Sequence, residues 1–254
     1  MVISYLKGGL GNFLFQIAHG YSLSLDNNVS FGIDLNRIWV VHSHWSEYMS
    51  NIFRNVPTVT SPTQTHYYKY ESLTHHPTPY THNIFLDGYF QSEKYFQNNK
   101  QRILDLFKVD DETLRYLQEK YPNILNSDNT CSIHVRRGDF LRISFYNKLD
   151  MNFYNKAIDL AGRDKHFVIF SNDIPWCKEN FVGLNVTFVE NEKDYVDMYL
   201  MSLCKDNITS NSTFSWWGSY LNPNPNKKIF TPRTWFLHTH SNEDIIPSEW
   251  IKID

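Results

Sequence analysis

The chain has 254 residues, and its 24 lysines and arginines against 27 aspartates and glutamates leave a formal net charge of −3. Residues 1–127 carry 10 basic and 11 acidic side chains and residues 128–254 carry 14 and 16, so neither half is a basic module built to hold a nucleic-acid backbone. At 41% hydrophobic and 20% charged the composition is globular rather than disordered.

Residues 2–6 read as a short buried strand, followed by the glycine loop Lys7-Gly8-Gly9-Leu10-Gly11. From Asn12, the apolar positions Phe13, Leu14, Ile17, Ala18, Tyr21 and Leu25 recur at helical spacing, and Val29 to Ile33 forms a second strand, which together make a βαβ opening. Residues 35–83 read mostly as loop with one helix. They hold Trp39, Trp45, six of the eleven histidines and a Pro/Thr-rich stretch from Pro57 to Pro79. Such a long irregular stretch in a compact domain is functional or hides an element. A strand is expected over 84–90, then helix over 93–121 broken near Val109-Asp110-Asp111.

From Thr130 the pattern becomes regular. Strands are expected at 131–135, 167–170, 186–189, 208–210 and 228–230. Helices are expected at 152–162, with Asn152 as a cap, and at 175–180, 194–204 and 213–221. About four strand–helix alternations in roughly 100 residues argue for a doubly wound parallel sheet. The boundary between halves is expected near 122–129, giving domains of 1–125 and 126–254.

Several short segments carry chemistry. Gly9-Leu10-Gly11 sits between a strand and a helix, but Leu14 replaces the third glycine of a dinucleotide fingerprint. Asp34 is the only candidate ribose ligand. The loop suits an anion or a sugar hydroxyl, or is simply a tight turn. His134-Val135-Arg136-Arg137-Gly138-Asp139 closes a predicted central strand, where open α/β sheets bind ligands. Two adjacent arginines there read as a bidentate anion clamp, with Asp139 holding one guanidinium and His134 pointing inward, or as a surface ion pair. Ser210-Asn211-Ser212-Thr213-Phe214 opens a helix, so Ser212 or Asn211 caps it and the free N–H groups with two hydroxyls make a phosphate cradle, with Trp216 and Trp217 facing the core. Asp173 could accept hydrogen bonds from a guanine edge, or cap the helix that follows it.

Other motifs are weaker or missing. His42/His44 and His238/His240 lack the carboxylates or thiols that would complete a metal site. The chain has no D-x-D triplet, no G-x-S-x-G and no Walker loop. Three cysteines, Cys131, Cys177 and Cys204, cannot close a disulfide framework and point to a reducing compartment. With no apolar leader in MVISYLKGG and no run approaching a membrane span, a cytoplasmic protein is expected. The four N-x-[ST] sequons, at Asn28, Asn185, Asn207 and Asn211, are then accidental. Aromatic residues are 16% of the chain, an excess that serves sugar or base stacking, or an aromatic-rich core.

The order of these segments resembles the α-1,2-fucosyltransferases of glycosyltransferase family 11. It runs from Gly8-Gly9-Leu10-Gly11-Asn12, through Gly88 to Tyr95, His134 to Asp139 and Phe170 to Asp173, to Asp197 through Trp217, and so covers nearly the whole chain. The resemblance implies a GT-B fold, two Rossmann-like halves facing a cleft. The activity it implies is metal-independent, inverting transfer of L-fucose from GDP-β-L-fucose to O2 of a terminal galactose, so the partners are the donor and a galactose-terminated glycan, with no cofactor. By position it implies that Arg136 binds the pyrophosphate as the essential residue and that His134 and Asp173 read the guanine. Ser212, Thr213 and the Phe214 backbone would hold phosphate. Asn12, beside Gly11, would reach the β-phosphate and fucose, with Arg137 and Asp139 in support. The general base is open among Glu47, Asp87, Glu93 and Asp139, and acceptor choice is expected from 35–83, with Trp39 and Trp45 lining the acceptor side. Another GDP-sugar transferase on this scaffold, or a catalytically silent glycan-binding protein, are the alternatives.

Overall fold

The structure, a computed structural model, describes residues 1–37, 45–237 and 242–254. Trp39 and both histidine pairs lie outside the described residues. The chain forms two compact units, Met1–Asp110 with Glu243–Pro247, and Asp111–Asn242 with Ser248–Asp254. Each is an α/β arrangement on a parallel sheet, as the sequence pattern leads one to expect.

The first unit runs β1 (Val2–Ser4), α1 (Leu10–Asp26), β2 (Phe31–Ile33), α2 (Trp45–Ser50), β3 (His66–Tyr70), β4 (Ile84–Gly88) and α3 (Lys100–Leu106). Its sheet has the order β2-β1-β4-β3 with every pair parallel. Phe13, Leu14, Ile17 and Ala18 of α1 are wholly buried, along with Val2 and Ile3 of β1. The helix comes close to the sheet at Gly20, where a Cβ would lie 2.2 Å from Ser4 Oγ and 2.6 Å from the Phe31 ring. β3 is the element hidden in the irregular stretch. It is an edge strand whose residues stay largely in solvent, with Tyr67 63% exposed, so it lacks the buried run by which strands are recognised. Trp45 packs edge-on to Phe13 at 5.5 Å and beside Tyr48 and Phe53. Its partly buried indole packs on the aromatic core of this unit.

The second unit runs α4 (Asp111–Lys120), α5 (Pro122–Leu125), β5 (Thr130–Val135), α6 (Met151–Ala161), β6 (His166–Ser171), α7 (Ile174–Asn180) and β7 (Val186–Phe188). It continues through α8 (Asp194–Leu203), β8 (Asp206–Ile208), α9 (Thr213–Tyr220), β9 (Ile229–Pro232) and β10 (Ile251–Ile253). The strand order is β10-β9-β8-β5-β6-β7, all parallel. All six residues of β5 are buried, as a central parallel strand requires. Phe153, Tyr154, Ala157 and Ile158 of α6 pack with Ile133, Val135, Phe167 and Ile169 of β5 and β6. Trp216 and Trp217 face the core, and Trp216 stacks on Tyr220 at 4.5 Å. α6 is capped by Asp150, which accepts from the N–H groups of Asn152 and Phe153. Asn152 therefore sits inside the first turn and is not the cap. β10, three residues with Ile251 exposed, is too short to leave a pattern. Among the described residues no helix is long and apolar enough to cross a membrane.

Candidate active site

The second sheet dictates where its ligand site lies. From β5 the chain builds outward through β6 to β7, then returns to lay β8 on the other side of β5. The loops after β5 and β8 therefore diverge, leaving a crevice at the carboxyl ends of those strands. His134 from β5 and Ser210 from the β8 loop meet there, Nδ1 to Oγ at 2.8 Å. The imidazole lies 5.4 Å from the Phe214 ring, centroid to centroid. Burial, with the Arg136 cation beside it, lowers the His134 pKa to about 3, so the ring is neutral at pH 7.

The two adjacent arginines divide their roles. Arg137 is fully engaged: its Nε donates to Asp173 Oδ2 at 2.9 Å, its guanidinium lies over the Trp176 ring at 4.1 Å, and its backbone N–H donates to Asn172 Oδ1. Arg136 is only partly engaged. Its Nη2 pairs with Asp139 at 2.8 Å. Its Nε is buried and has no hydrogen-bond partner among the described residues. A buried donor without an acceptor is costly unless a ligand supplies one, and an anion at the strand end would do so.

The third wall is the start of α9. Ser212 is its cap, and its Oγ accepts from the Phe214 N–H at 3.4 Å. Asn211 takes a different role, its Nδ2 donating to the carbonyls of Asn147 and Trp235. Thr213 opens the first turn, where N–H groups and the helix dipole favour negative charge. Asp173 caps α7 by accepting from Trp176 N–H at 3.3 Å while also holding Arg137.

In the first unit, Gly9 is the residue that precedes α1, which therefore has no side-chain cap. Gly8 adopts a φ of +91°, and a Cβ there would lie 2.4 Å from Asn12 Nδ2, so glycine keeps the Asn12 side chain against the loop. Gly11 is buried in the first turn of α1, and Asn12 Oδ1 accepts from Gln91 Nε2 at 2.9 Å. Asp34 holds no free carboxylate for a ribose. It binds the backbone and hydroxyl of Ser61 and the backbone of Asn36. Burial alone would raise its pKa, but those hydrogen bonds hold it below the usual carboxylate range. Asp87, one of the candidate bases, is ion-paired with Lys7 at 2.6 Å.

Three residues of this region were given no role of their own in the sequence reading. Ser210 stands in the 210–214 segment and Asn172 in the Phe170–Asp173 segment, and only the structure shows that one holds the imidazole and the other the backbone of the arginine loop. The third is Asp197 in the first turn of α8, a helix that begins at the same end of the sheet. Burial, then the negative charges of Glu192 and Asp194, raise its pKa to about 8. Its Oδ1 is buried without a hydrogen-bond partner among the described residues. Its only sequence signal was its place in the Asp197–Trp217 segment. Among the described residues no group of three or more His, Cys, Asp or Glu side chains is placed to hold a metal ion.

Comparison with known proteins places this geometry among glycosyl-transferring enzymes. The family model described as glycosyl transferase family 11 matches residues 41–254. The chain is 32% identical over 199 residues to the O-antigen biosynthesis glycosyltransferase WbnK of Escherichia coli, a match that spans 72% of this chain and 65% of that protein. It is 27% identical over 293 residues to an alpha-1,2-colitosyltransferase of Escherichia coli, spanning 100% of this chain and 99% of that one. Among solved structures, NodZ alpha-1,6-fucosyltransferase co-crystallized with GDP superposes with a TM-score of 0.57. That match has 16% identity and covers 87% of this chain and 92% of that chain, a likeness of fold.

Proposed function

The chain belongs to glycosyl transferase family 11, and on that premise we propose that it moves L-fucose from GDP-β-L-fucose to O2 of a terminal galactose, with inversion and without a metal. Three relatives' names support the linkage, an alpha-1,2-colitosyltransferase and two galactoside 2-alpha-fucosyltransferases. The observation that carries the reading is Arg136: a guanidinium at the switch point of a parallel sheet with a buried Nε awaiting an acceptor.

Breaking the sugar–phosphate bond leaves negative charge on the departing GDP and cationic character on the sugar carbon. Groups fixed around the pyrophosphate stabilise that separation more than they stabilise the bound substrate. Arg136 supplies the cation, and Ser212, Thr213 and the Phe214 N–H supply the helix-end donors. Neutral His134, held by Ser210, and Asp173 read the guanine. Arg137 and Asp139 hold this arrangement, Gly11 and Asn12 are the donor contacts proposed for the first unit, and the acceptor hydroxyl passes its proton to a carboxylate among Glu47, Asp87, Glu93 and Asp139, or to water, as the new bond forms and GDP departs. The free, buried Cys131, Cys177 and Cys204 suit a reducing cytoplasm.

The test offers GDP-fucose, GDP-colitose, GDP-mannose and UDP-galactose with lactose as acceptor. Nucleotide release and the linkage and anomeric configuration of the product are then measured. Fucose α-linked to O2 of galactose is the expected product. Turnover with colitose alone would move the donor assignment, and nucleotide release with none of the four would favour a silent glycan-binding protein.

A further inference from the structure

We propose that Phe140 is a positioning residue, a rigid aromatic support that sets the guanidinium of Arg136 in its catalytic orientation. The inference rests on the reading of Arg136 as the pyrophosphate clamp. The guanidinium carbon lies over the Phe140 ring, 5.2 Å from its centroid. Phe140 is itself backed by Tyr146, the two rings stacked at 3.8 Å with planes 5° apart. Tyr146 is not free to drift. It bridges antiparallel to Phe236, while Asn147 N–H donates to Trp235 O and Leu237 N–H to Phe145 O on either side. Asn211, the residue before the α9 cap, donates from its Nδ2 to the carbonyls of Asn147 and Trp235, one on each of the two bridged segments.

The backbone is shaped to make the contact. Gly138 takes a φ of +53°, which turns the chain back so that Phe140 comes under Arg136, with Phe140 N–H donating to Arg137 O. A Cβ at that position would also lie 2.5 Å from Asn172 Nδ2.

Asp139 by itself cannot fix the orientation. Its side chain is 54% exposed, and a single contact to Nη2 leaves the guanidinium plane free to tilt about that bond. An ion pair so wet contributes little. The ring over which the guanidinium carbon sits restrains that tilt and keeps the buried Nε turned from solvent, and a planar cation favours an aromatic face. Stabilising charge that develops only in the transition state depends on such placement, so loss of the ring should appear in kcat more than in donor KM.

The experiment compares Phe140→Leu, Phe140→Tyr, Tyr146→Leu and Arg136→Ala, with kcat, donor KM and melting temperature measured for each. Phe140→Leu should lower kcat by about tenfold with donor KM changed less than about threefold, an orientation effect of the size that small misplacement produces. Phe140→Tyr should recover most of the rate, because it restores the face. Tyr146→Leu should show the same kcat-selective loss, acting from a different residue. A kcat within about twofold of the parent in Phe140→Leu would overturn the proposal, being too small for an orientation effect. So would equal losses in the Leu and Tyr variants, or a Tyr146→Leu loss confined to melting temperature. Full activity in Arg136→Ala would instead remove the clamp reading, whatever Phe140 does.

Discussion

Replacing Arg136 separates catalysis from folding. The side chain is 34% exposed, and its partner Asp139 is more exposed still. An ion pair this wet is worth about 0–1 kcal/mol, so Arg136→Ala should cost the fold no more than that. For a chain of this size such a loss lowers the melting temperature by roughly 2–4 °C per kcal/mol, and removing the unpartnered buried Nε works in the opposite direction. The catalytic cost is larger. Losing one preorganised donor to a developing negative charge costs about 3 kcal/mol or more, roughly a hundredfold in rate. Arg136→Lys should recover little, because an ammonium cannot present the planar fork. The assay is the initial rate of fucosyl transfer from GDP-fucose to lactose, paired with thermal melts of both variants. If either variant keeps more than about a tenth of the parent rate, a loss under 1.4 kcal/mol, Arg136 is not the clamp. If both lose rate only as they unfold, the arginine is a structural partner of Asp139.

Three further outcomes are expected. Asp173→Ala should weaken GDP binding by roughly 1–3 kcal/mol and lower stability by about 1 kcal/mol through loss of the α7 cap. Both Asp173 oxygens already accept hydrogen bonds within the protein; GDP affinity is measured by calorimetry, and unchanged affinity in the Asp173 variant would leave that residue a cap. On the proposed mechanism, in which arginine and helix N–H groups take the place of a metal, transfer should persist in EDTA; complete loss, restored by Mn²⁺ or Mg²⁺, would refute this. Acid should destabilise both units. His134 in the second and His19 in the first are buried, with pKa values lowered to about 3 by burial, then by Arg136 for His134 and by His75 for His19. Their contribution to stability is complete above the unfolded value of 6.5 and falls with pH until the folded values are reached. At pH 5 the loss is about 2 kcal/mol for each. Urea unfolding followed from pH 7 to pH 5 checks the slope, and a flat profile would show that the imidazoles take up protons while folded.

The fold class and much of the second unit were legible in the chain itself. β5, β6, α8 and α9 carry unbroken buried runs or helical apolar spacing, and local periodicity reports burial wherever an element has one face to hide. His134, Arg136 and Ser212 stood out because each falls at the end of such an element, and parallel sheets put ligands at those ends. β3 and β10 were silent because edge strands bury too little to leave a pattern. Asp150, rather than Asn152, proved to be the cap, since the choice between neighbouring polar residues turns on where the helix geometry begins. Tertiary structure alone decided the division of labour between the arginines. Arg137 is held by Asp173 and Trp176, 36 and 39 residues further along, while Arg136 keeps a buried donor without an acceptor among the described residues. Pairing across such distances depends on strand order, which leaves no local trace. The same holds for Asp197, which resembles any acidic residue in a first helical turn until the fold buries it beside two other carboxylates and raises its pKa. Composition showed a surplus of aromatic rings, and only packing revealed that Trp45 joins a core while Phe140 and Tyr146 stack beneath Arg136. A ring's use depends on what lies against its faces, and those neighbours are brought together by the fold.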